Sequence, residues 1–181
     1  TGDIFPVGYA KELDNNEKVE DIYLRIYSYP GLIRKENISH LLNIGVREVF
    51  LGIESLLVWD GDFARKYSKN YDVNSLLMEL KMLGDNDIRV FPSFILGLPG
   101  ETEETLIKNY ELIQKIAELP YIDNILVNPI MPLPGTSYFE DCLKDGSITS
   151  EYKHYEKRNI RTSDIIDFYT LSQLFIERFT D

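Results

Sequence analysis

The clearest chemical signal in the sequence is a glycine- and proline-rich turn that joins an apolar run to the start of a helix. Its residues are Phe-Ile-Leu-Gly-Leu-Pro-Gly-Glu-Thr, from Phe94 to Thr102. Glycines let a ligand approach the backbone closely, and the first turn of a helix offers unpaired N–H groups. Because α/β folds place ligands at the carboxyl ends of parallel strands, we expect this turn to face a ligand.

Polar residues also lie at or just after the carboxyl ends of the predicted strands. Glu54 and Ser55 come after one strand and Glu101 after the next. Asn128 stands near the end of the last strand, whereas Arg25 lies within the first. Taken singly, Glu101 could cap its helix and Glu54 could pair with a nearby cation. Because the ends of parallel strands meet at one edge, the two acids together favour a ligand site.

The elements that must position these groups alternate between strand-like and helix-like segments, as in successive βα units. The pattern predicts strands over 22–27, 48–53, 88–96 and 122–130. It predicts helices over 37–44, 72–83 and from Thr102 to just before Pro120, with further helices near 138–144 and 164–180. Asp72 and Thr102 are the expected N-caps, and Gly45 and Gly84 the expected helix ends.

Four strands are too few to close an eight-stranded barrel. We therefore predict an α/β fold, a partial parallel (β/α) barrel of about four strands with outer helices, over residues 1–145, followed by a helical extension over 146–181. In the long helix after Thr102, the predicted core-facing stripe consists of Leu106, Ile107, Tyr110, Ile113 and Ile116.

Composition excludes several functions. The net charge of −11 argues against a nucleic-acid-binding surface, because phosphate contacts need clustered Lys and Arg. The single cysteine, Cys142, cannot form a disulfide within the chain and fits a reducing compartment. No apolar run has the length of a membrane span. We expect a cytoplasmic protein that acts on a small molecule, without nucleic-acid or membrane partners, whose open sheet edges could self-associate.

Common ligand motifs are missing. The turn has no Gly-Lys-Ser/Thr, so it is not a nucleotide P-loop, and no Gly-x-Gly-x-x-Gly occurs. The two histidines, His40 and His154, are far apart and have no nearby cysteine, which makes a zinc site an unfavourable interpretation.

Several short motifs resemble, in order and spacing, the second half of a radical S-adenosylmethionine (SAM) catalytic domain, a TIM-like barrel that is truncated here. The subgroup it looks most like is the cobalamin-associated, oxidative-cyclase-like one that includes the magnesium-protoporphyrin monomethyl ester cyclases. The matching segments are Asp3–Phe5, Leu24–Ser28, Gly45-Val46 with Gly52–Ser55, Lys69–Tyr71, Ile95–Thr102 and Pro132–Thr136.

The resemblance implies roles at the matching positions. Ile95 would pack on the adenine of SAM, and the backbone around Gly97 would approach it. Glu54 and Ser55 would lie near the ribose or the amino-acid part. The remaining members of the implied cofactor-binding set are Lys69 or Arg25, facing the SAM carboxylate, together with Glu101 and Asn128. No catalytic residue is identified.

The family also needs a [4Fe-4S] cluster, held by three cysteines spaced as Cys-x3-Cys-x2-Cys, because cluster ligation requires thiolates. Cys142 stands alone here. We expect the cluster-binding segment, and with it a cobalamin domain, to lie upstream in the native gene. The parent enzyme would then generate a 5′-deoxyadenosyl radical from SAM and attack an organic substrate, whereas this chain alone would be inactive.

Two other functions stay open at this point. One is a cluster-independent barrel hydrolase or lyase that uses Glu54 and Glu101 as acid and base. The other is a non-catalytic module that binds a partner along an open strand edge.

Overall fold

The computed structural model describes residues 5–14, 22–59, 72–133 and 135–146. The described strands are β1 (Leu24–Ser28), β2 (Val46–Glu54), β3 (Arg89–Leu96) and β4 (Leu126–Pro129). The described helices are α1 (Ala10–Asp14), α2 (Lys35–Asn43), α3 (Val73–Gly84), α4 (Glu103–Ala117) and α5 (Ser137–Asp145), with short 3-10 turns at Val7–Tyr9 and Leu56–Trp59. The α1 helix and both 3-10 turns were not expected from the sequence.

The four strands form one parallel sheet in the order β1-β2-β3-β4, which is also their order in the chain. Register pairs Ile26 of β1 with Val49 of β2, and Val49 with Val90 of β3. The backbone N–H of Phe5 donates to the carbonyl of Tyr27 at 2.9 Å, which places Phe5 beside β1. The predicted partial (β/α) barrel is confirmed.

The two faces of the sheet differ, because successive side chains of a strand point to opposite sides. One face packs with α2, α3 and α4 in a single buried core, whose largest members include Leu41, Leu51, Leu76, Leu80 and Leu112. The other face carries Arg25, Tyr27, Phe50 and Phe91. The rings of Tyr27 and Phe50 lie 5.0 Å apart, and the Arg25 guanidinium lies 4.9 Å from the centre of the Phe91 ring.

The predicted helix signals are confirmed at both N-termini. The Asp72 carboxylate accepts a hydrogen bond from the Ser75 N–H at 2.7 Å, and Thr102 forms a reciprocal capping box with Thr105. Gly45 ends α2 with φ +92°, and a side chain there would meet the Ile22 carbonyl. Because these signals act within a few residues of the chain, they survive any tertiary context.

The last predicted strand, 122–130, is shorter in the structure. The last strand covers only Leu126–Pro129, and Ile122 makes an isolated bridge to Val90. Tyr121, Ile122 and Ile125 are partly buried and pack against the core. Gly84 is the last residue of α3, as predicted. The Tyr121 ring occupies the place that a side chain on Gly84 would take, so packing also requires a glycine here.

The predicted core stripe of α4 is wrong over its first half. Leu106, Ile107 and Tyr110 are 39%, 51% and 61% exposed. The buried positions are instead Asn109, Leu112 and Ile116. The face is rotated because the Asn109 amide joins a buried polar network, described below, and its place on the helix fixes which side turns inward.

The chain divides into two units, Thr1–Asn128 and Pro129–Asp181. In the second unit, Thr136 caps α5 by accepting the Phe139 N–H at 3.2 Å. Phe139 and Cys142 are buried against Ile130, Tyr138 and Leu143. The predicted helix at 164–180, and with it nearly all of the predicted extension at 146–181, lies outside the described residues. Within the described ranges no helix is long and apolar enough to cross a membrane.

Candidate functional site

The carboxyl ends of β2 and β3 meet at one edge of the sheet. β2 ends at Glu54 and β3 at Leu96, immediately before Gly97. Their pairing shifts between Gly52 and Glu54, so that Glu54 lies beside Phe94. This irregularity is a β-bulge, a feature that re-aims a side chain at a strand end and is frequent next to active sites.

Glu54 itself has an unusual backbone. Its φ is +65°, in the left-handed region that glycine normally occupies. For an L-residue this conformation costs about 1–2 kcal/mol. Non-glycine residues held in this region cluster at ligand clamps and active sites, so the conformation marks Glu54 as a functional candidate.

The Glu54 carboxylate is turned back over the strand. Its Oε1 lies 2.7 Å from the position that a Cβ on Gly52 would take, so the absence of a side chain at Gly52 makes room for it. Its Oε2 is buried and has no hydrogen-bond partner among the described residues. Burial raises the pKa of Glu54 above its ordinary value. A desolvated acid at a strand end without a partner is typical of a ligand-binding or catalytic group.

The Gly97 turn is stabilised by the carboxylate of Glu101, which belongs to the same turn. The Glu101 carboxylate accepts hydrogen bonds from the backbone N–H groups of Gly97 at 2.5 Å and Leu98 at 3.2 Å. Gly97 and Gly100 both have positive φ, +84° and +87°. Because Glu101 already occupies these N–H groups, a ligand at this turn must meet other atoms of the backbone.

A buried network ties this turn to the end of β2. The Ser55 hydroxyl donates to Glu101 Oε1 at 2.7 Å, and the Asn109 amide donates to both Ser55 Oγ and Glu101 Oε1 at 2.8 and 2.9 Å. Ser55 and Asn109 are fully buried. Ser55 therefore supports the site from beneath in this structure, and its predicted contact with SAM stays a prediction.

Five of the eight predicted cofactor-binding residues come together at this edge: Glu54, Ser55, Ile95, Gly97 and Glu101. Ile95 is half-buried, one residue before the end of β3. Asn128 is exposed in β4, which neighbours β3. Lys69 lies outside the described residues.

The structure does not bring Arg25 to this edge. It pairs with Glu48, which also accepts a hydrogen bond from the Tyr23 hydroxyl at 3.0 Å. Glu54 lies six positions after Glu48 in β2, or roughly 20 Å away at about 3.3 Å per residue. The placement of Arg25 does not support its predicted contact with the SAM carboxylate.

Sequence reasoning missed Asn109. It stands in the middle of an amphipathic helix, where the neighbouring leucine, isoleucine and tyrosine side chains dominate the hydrophobic pattern. The available signal was spacing: Asn109 stands three positions before Leu112 and seven before Ile116, the two apolar residues of this helix that are buried.

The residues of this chain do not fit an iron–sulfur cluster. Cluster ligation needs several thiolates, and the only cysteine in the sequence, Cys142, is buried in α5. No group of three or more His, Cys, Asp or Glu is placed to hold a metal ion in the parts of the chain that the structure describes.

A groove of about 860 Å³ lies elsewhere, between α2 and α3. Its lining includes Ile38, Leu42, Met78, Met82 and the buried Glu79, whose carboxylate accepts the Gly31 N–H at 2.8 Å. None of the predicted site residues lines it.

The sequence matches no family model and no curated protein, but the arrangement of strands and helices is the fold of radical SAM enzymes. One solved structure with this likeness is TsrM from Kitasatospora setae, a radical SAM methyltransferase with cobalamin and a [4Fe-4S] cluster bound. It is 17% identical, with a TM-score of 0.50 over 67% of this chain and 23% of TsrM.

A second TsrM structure, with tryptophan substrate and the SAM analogue aza-SAM bound, gives the same TM-score of 0.50 at 17% identity, over 69% of this chain and 23% of that one. Coproporphyrinogen III oxidase (HemN) from Escherichia coli, a radical SAM enzyme, is 19% identical over 70% of this chain and 28% of its own, with a TM-score of 0.47. This chain spans less than a third of these proteins, and the likeness concerns the fold.

Proposed function

We propose that this chain supplies the SAM-binding edge of a radical SAM enzyme, with the adenosyl group between Glu54 and the Gly97 turn. The observation that carries the proposal is the buried, unpartnered carboxylate oxygen of Glu54 on a strained backbone. Such an arrangement costs stability, and a rotation of the Glu54 side chain that brings this oxygen to the hydrogen-bond donors of a ligand would offset the cost.

The chemistry of the edge suits a nucleoside. Ribose hydroxyls are hydrogen-bond donors, and a carboxylate accepts them strongly. Ile95 offers an apolar surface for a flat base, and Gly97 has no side chain to keep a ligand from the backbone. One apolar wall, one polar group and a close backbone are what small-molecule sites generally combine.

When bound, SAM and a [4Fe-4S] cluster supply radical chemistry toward an organic substrate. The thiolates for the cluster must come from outside this chain, since its residues do not fit one. This chain would bind the nucleoside, orient it and exclude water. We further propose an oxidative-cyclase-like reaction in the cytoplasm, with cobalamin in the full-length protein; the order of the sequence motifs supports this, and TsrM is one protein of this fold with cobalamin bound.

The acid–base alternative is less favoured by the geometry. Glu101 accepts four hydrogen bonds, from Ser55, Asn109, Gly97 and Leu98. A carboxylate so fully engaged is a framework group that holds the turn in place. Glu54 has the environment of a reactive acid, but it lacks the second acid that a hydrolase or lyase of this kind needs.

The test is equilibrium dialysis of radiolabelled SAM against the 181-residue chain, with Gly97→Ala and Gly100→Ala as a matched pair. Both glycines have positive φ, so both substitutions strain the backbone equally. A Cβ at Gly100 meets nothing within 4 Å. We expect saturable binding that weakens about tenfold or more in Gly97→Ala and about twofold or less in Gly100→Ala, tenfold being about 1.4 kcal/mol.

Absence of saturable binding by the unmodified chain, or equal losses in the two variants, would contradict the proposal. Reconstitution with iron and sulfide provides a second check. We expect neither cluster absorbance nor SAM cleavage from this chain, because one cysteine cannot replace three thiolates.

A further inference from the structure

Asn109 bonds to two residues that follow β2, Ser55 and Leu56, and to Glu101, the residue whose carboxylate holds the Gly97 turn. Its Oδ1 accepts the backbone N–H of Leu56, two residues after Glu54, at 2.8 Å. Its Nδ2 donates to Ser55 Oγ at 2.8 Å and to Glu101 Oε1 at 2.9 Å. It is fully buried in α4. The amide oxygen and both amide hydrogens are therefore in use.

The partners of Asn109 extend the network on both sides. Ser55 Oγ also accepts the Leu57 N–H at 3.2 Å. Glu101 accepts the backbone N–H groups of Gly97 and Leu98 through its second oxygen, Oε2. A complete buried polar network of this kind fixes one arrangement, whereas removal of one member leaves several groups without partners.

We infer that Asn109 is a positioning residue, which holds the β2 end that carries Glu54 at a fixed distance from the Gly97 turn and thereby sets the affinity of the edge for SAM. The effect on affinity rests on the proposed function; the coupling of the two strand ends does not. Asn109 itself is buried beneath the site and does not touch the ligand.

Polarity provides a specific test. In Asn109→Asp, a carboxylate replaces the amide that donates to Ser55 and Glu101, and two acids then face each other. In Glu101→Gln, an amide faces the amide of Asn109. The double variant Asn109→Asp/Glu101→Gln exchanges the two groups. The amide introduced at position 101 can donate to the carboxylate introduced at position 109, and its oxygen can still accept from Gly97 and Leu98. A rescue by this exchange is not expected from residues that only fill space.

The first measurement is amide hydrogen exchange of the 181-residue chain at Gly97, Leu98 and Leu56. We expect exchange to rise about tenfold or more in Asn109→Asp, and to return to within about threefold of the unmodified chain in the double variant. The control is Leu112→Ala, a buried residue of the same helix outside the network. It lowers global stability, so exchange is compared after correction for the measured unfolding free energy, and the three amides should then stay unchanged.

The second measurement is SAM affinity of the same variants, with an expected loss of about tenfold in Asn109→Asp and recovery in the double variant. If the unmodified chain binds no SAM, the proposed function fails while the exchange data still decide the coupling. Slow exchange at Gly97 and Leu98 in Asn109→Asp, or no rescue in the double variant when each single variant is folded, would overturn the inference. Unchanged affinity in a variant whose amides exchange fast would overturn its functional half.

Discussion

Glu54→Gln is the perturbation that most sharply separates function from stability at this edge. Glutamine keeps the shape of the side chain and the strained φ of +65°, and it removes the ionisable group whose Oε2 has no described partner. We expect the folded chain to gain stability and the site to lose affinity for SAM. A residue kept for folding alone would show the opposite sign.

The magnitude follows from burial. An unsatisfied buried polar group costs about 1–3 kcal/mol, more when charged. Glu54 is only partly buried, so solvent screening reduces this, and we expect a gain of about 1 kcal/mol at neutral pH. For a chain of this size that is about 2–4 °C in melting temperature. The change from a charged to a neutral acceptor should weaken SAM binding by about 1–1.5 kcal/mol, or roughly tenfold.

The gain in unfolding free energy from Glu54→Gln should increase as the pH rises. Burial raises the pKa of Glu54 above its ordinary 4.5, so the folded state favours the protonated acid. The contribution of Glu54 to stability is then greatest below pH 4.5 and is lost as the pH rises through the raised pKa. The advantage of Glu54→Gln should be near zero at about pH 4 and grow toward neutral pH.

The assay is urea unfolding of both chains between about pH 4 and 8, with Glu101→Gln as the matched control. The same chemical change at Glu101 breaks a carboxylate with four hydrogen bonds, and should cost about 2–4 kcal/mol. If Glu54→Gln is destabilising at neutral pH, or if its effect is the same at every pH, the interpretation of Glu54 as a desolvated ligand group is refuted.

Three further substitutions test the site at Gly52 and two helix ends, at Gly84 and Thr102. Gly52→Ala places a Cβ 2.7 Å from Glu54 Oε1; because a flexible carboxylate can move, we expect a small loss of stability but about a tenfold loss of SAM affinity in dialysis, and unchanged affinity would contradict the placement of Glu54. Gly84→Ala puts a Cβ into the Tyr121 ring, which should cost about 1–3 kcal/mol in urea unfolding; a neutral effect would show that the two do not pack. Thr102→Ala removes the N-cap of α4 and should cost about 1 kcal/mol, whereas Thr102→Ser should cost little; equal losses would mean that the hydroxyl does not cap.

Local features of the fold were predictable from the sequence. The caps at Asp72 and Thr102 and the end of α2 at Gly45 depend on a few neighbouring residues. The alternation of strands and helices, and hence the parallel sheet, follows from hydrophobic periodicity. For the same reason the meeting of Glu54, Gly97 and Glu101 at one edge could be predicted.

Non-local features could not be predicted. The distance of Arg25 from the carboxyl edge of the sheet depends on the register that pairs it with Glu48. Glu48 lies 23 positions later in the chain, and the strand pattern does not identify it as the partner. The inward face of α4 is set by the contacts of Asn109 with Ser55 and Glu101, and hydrophobic periodicity gives no weight to an amide. The bulge that gives Glu54 its positive φ depends on pairing with β3.

The most direct test of the central claim is an NMR titration of the isotopically labelled chain with SAM. We predict that the amide shifts concentrate at Glu54, Ile95 and Gly97, on the edge where β2 and β3 end. Shifts confined to the groove between α2 and α3, or no saturable shifts at all, would contradict the assignment of this edge as the SAM site.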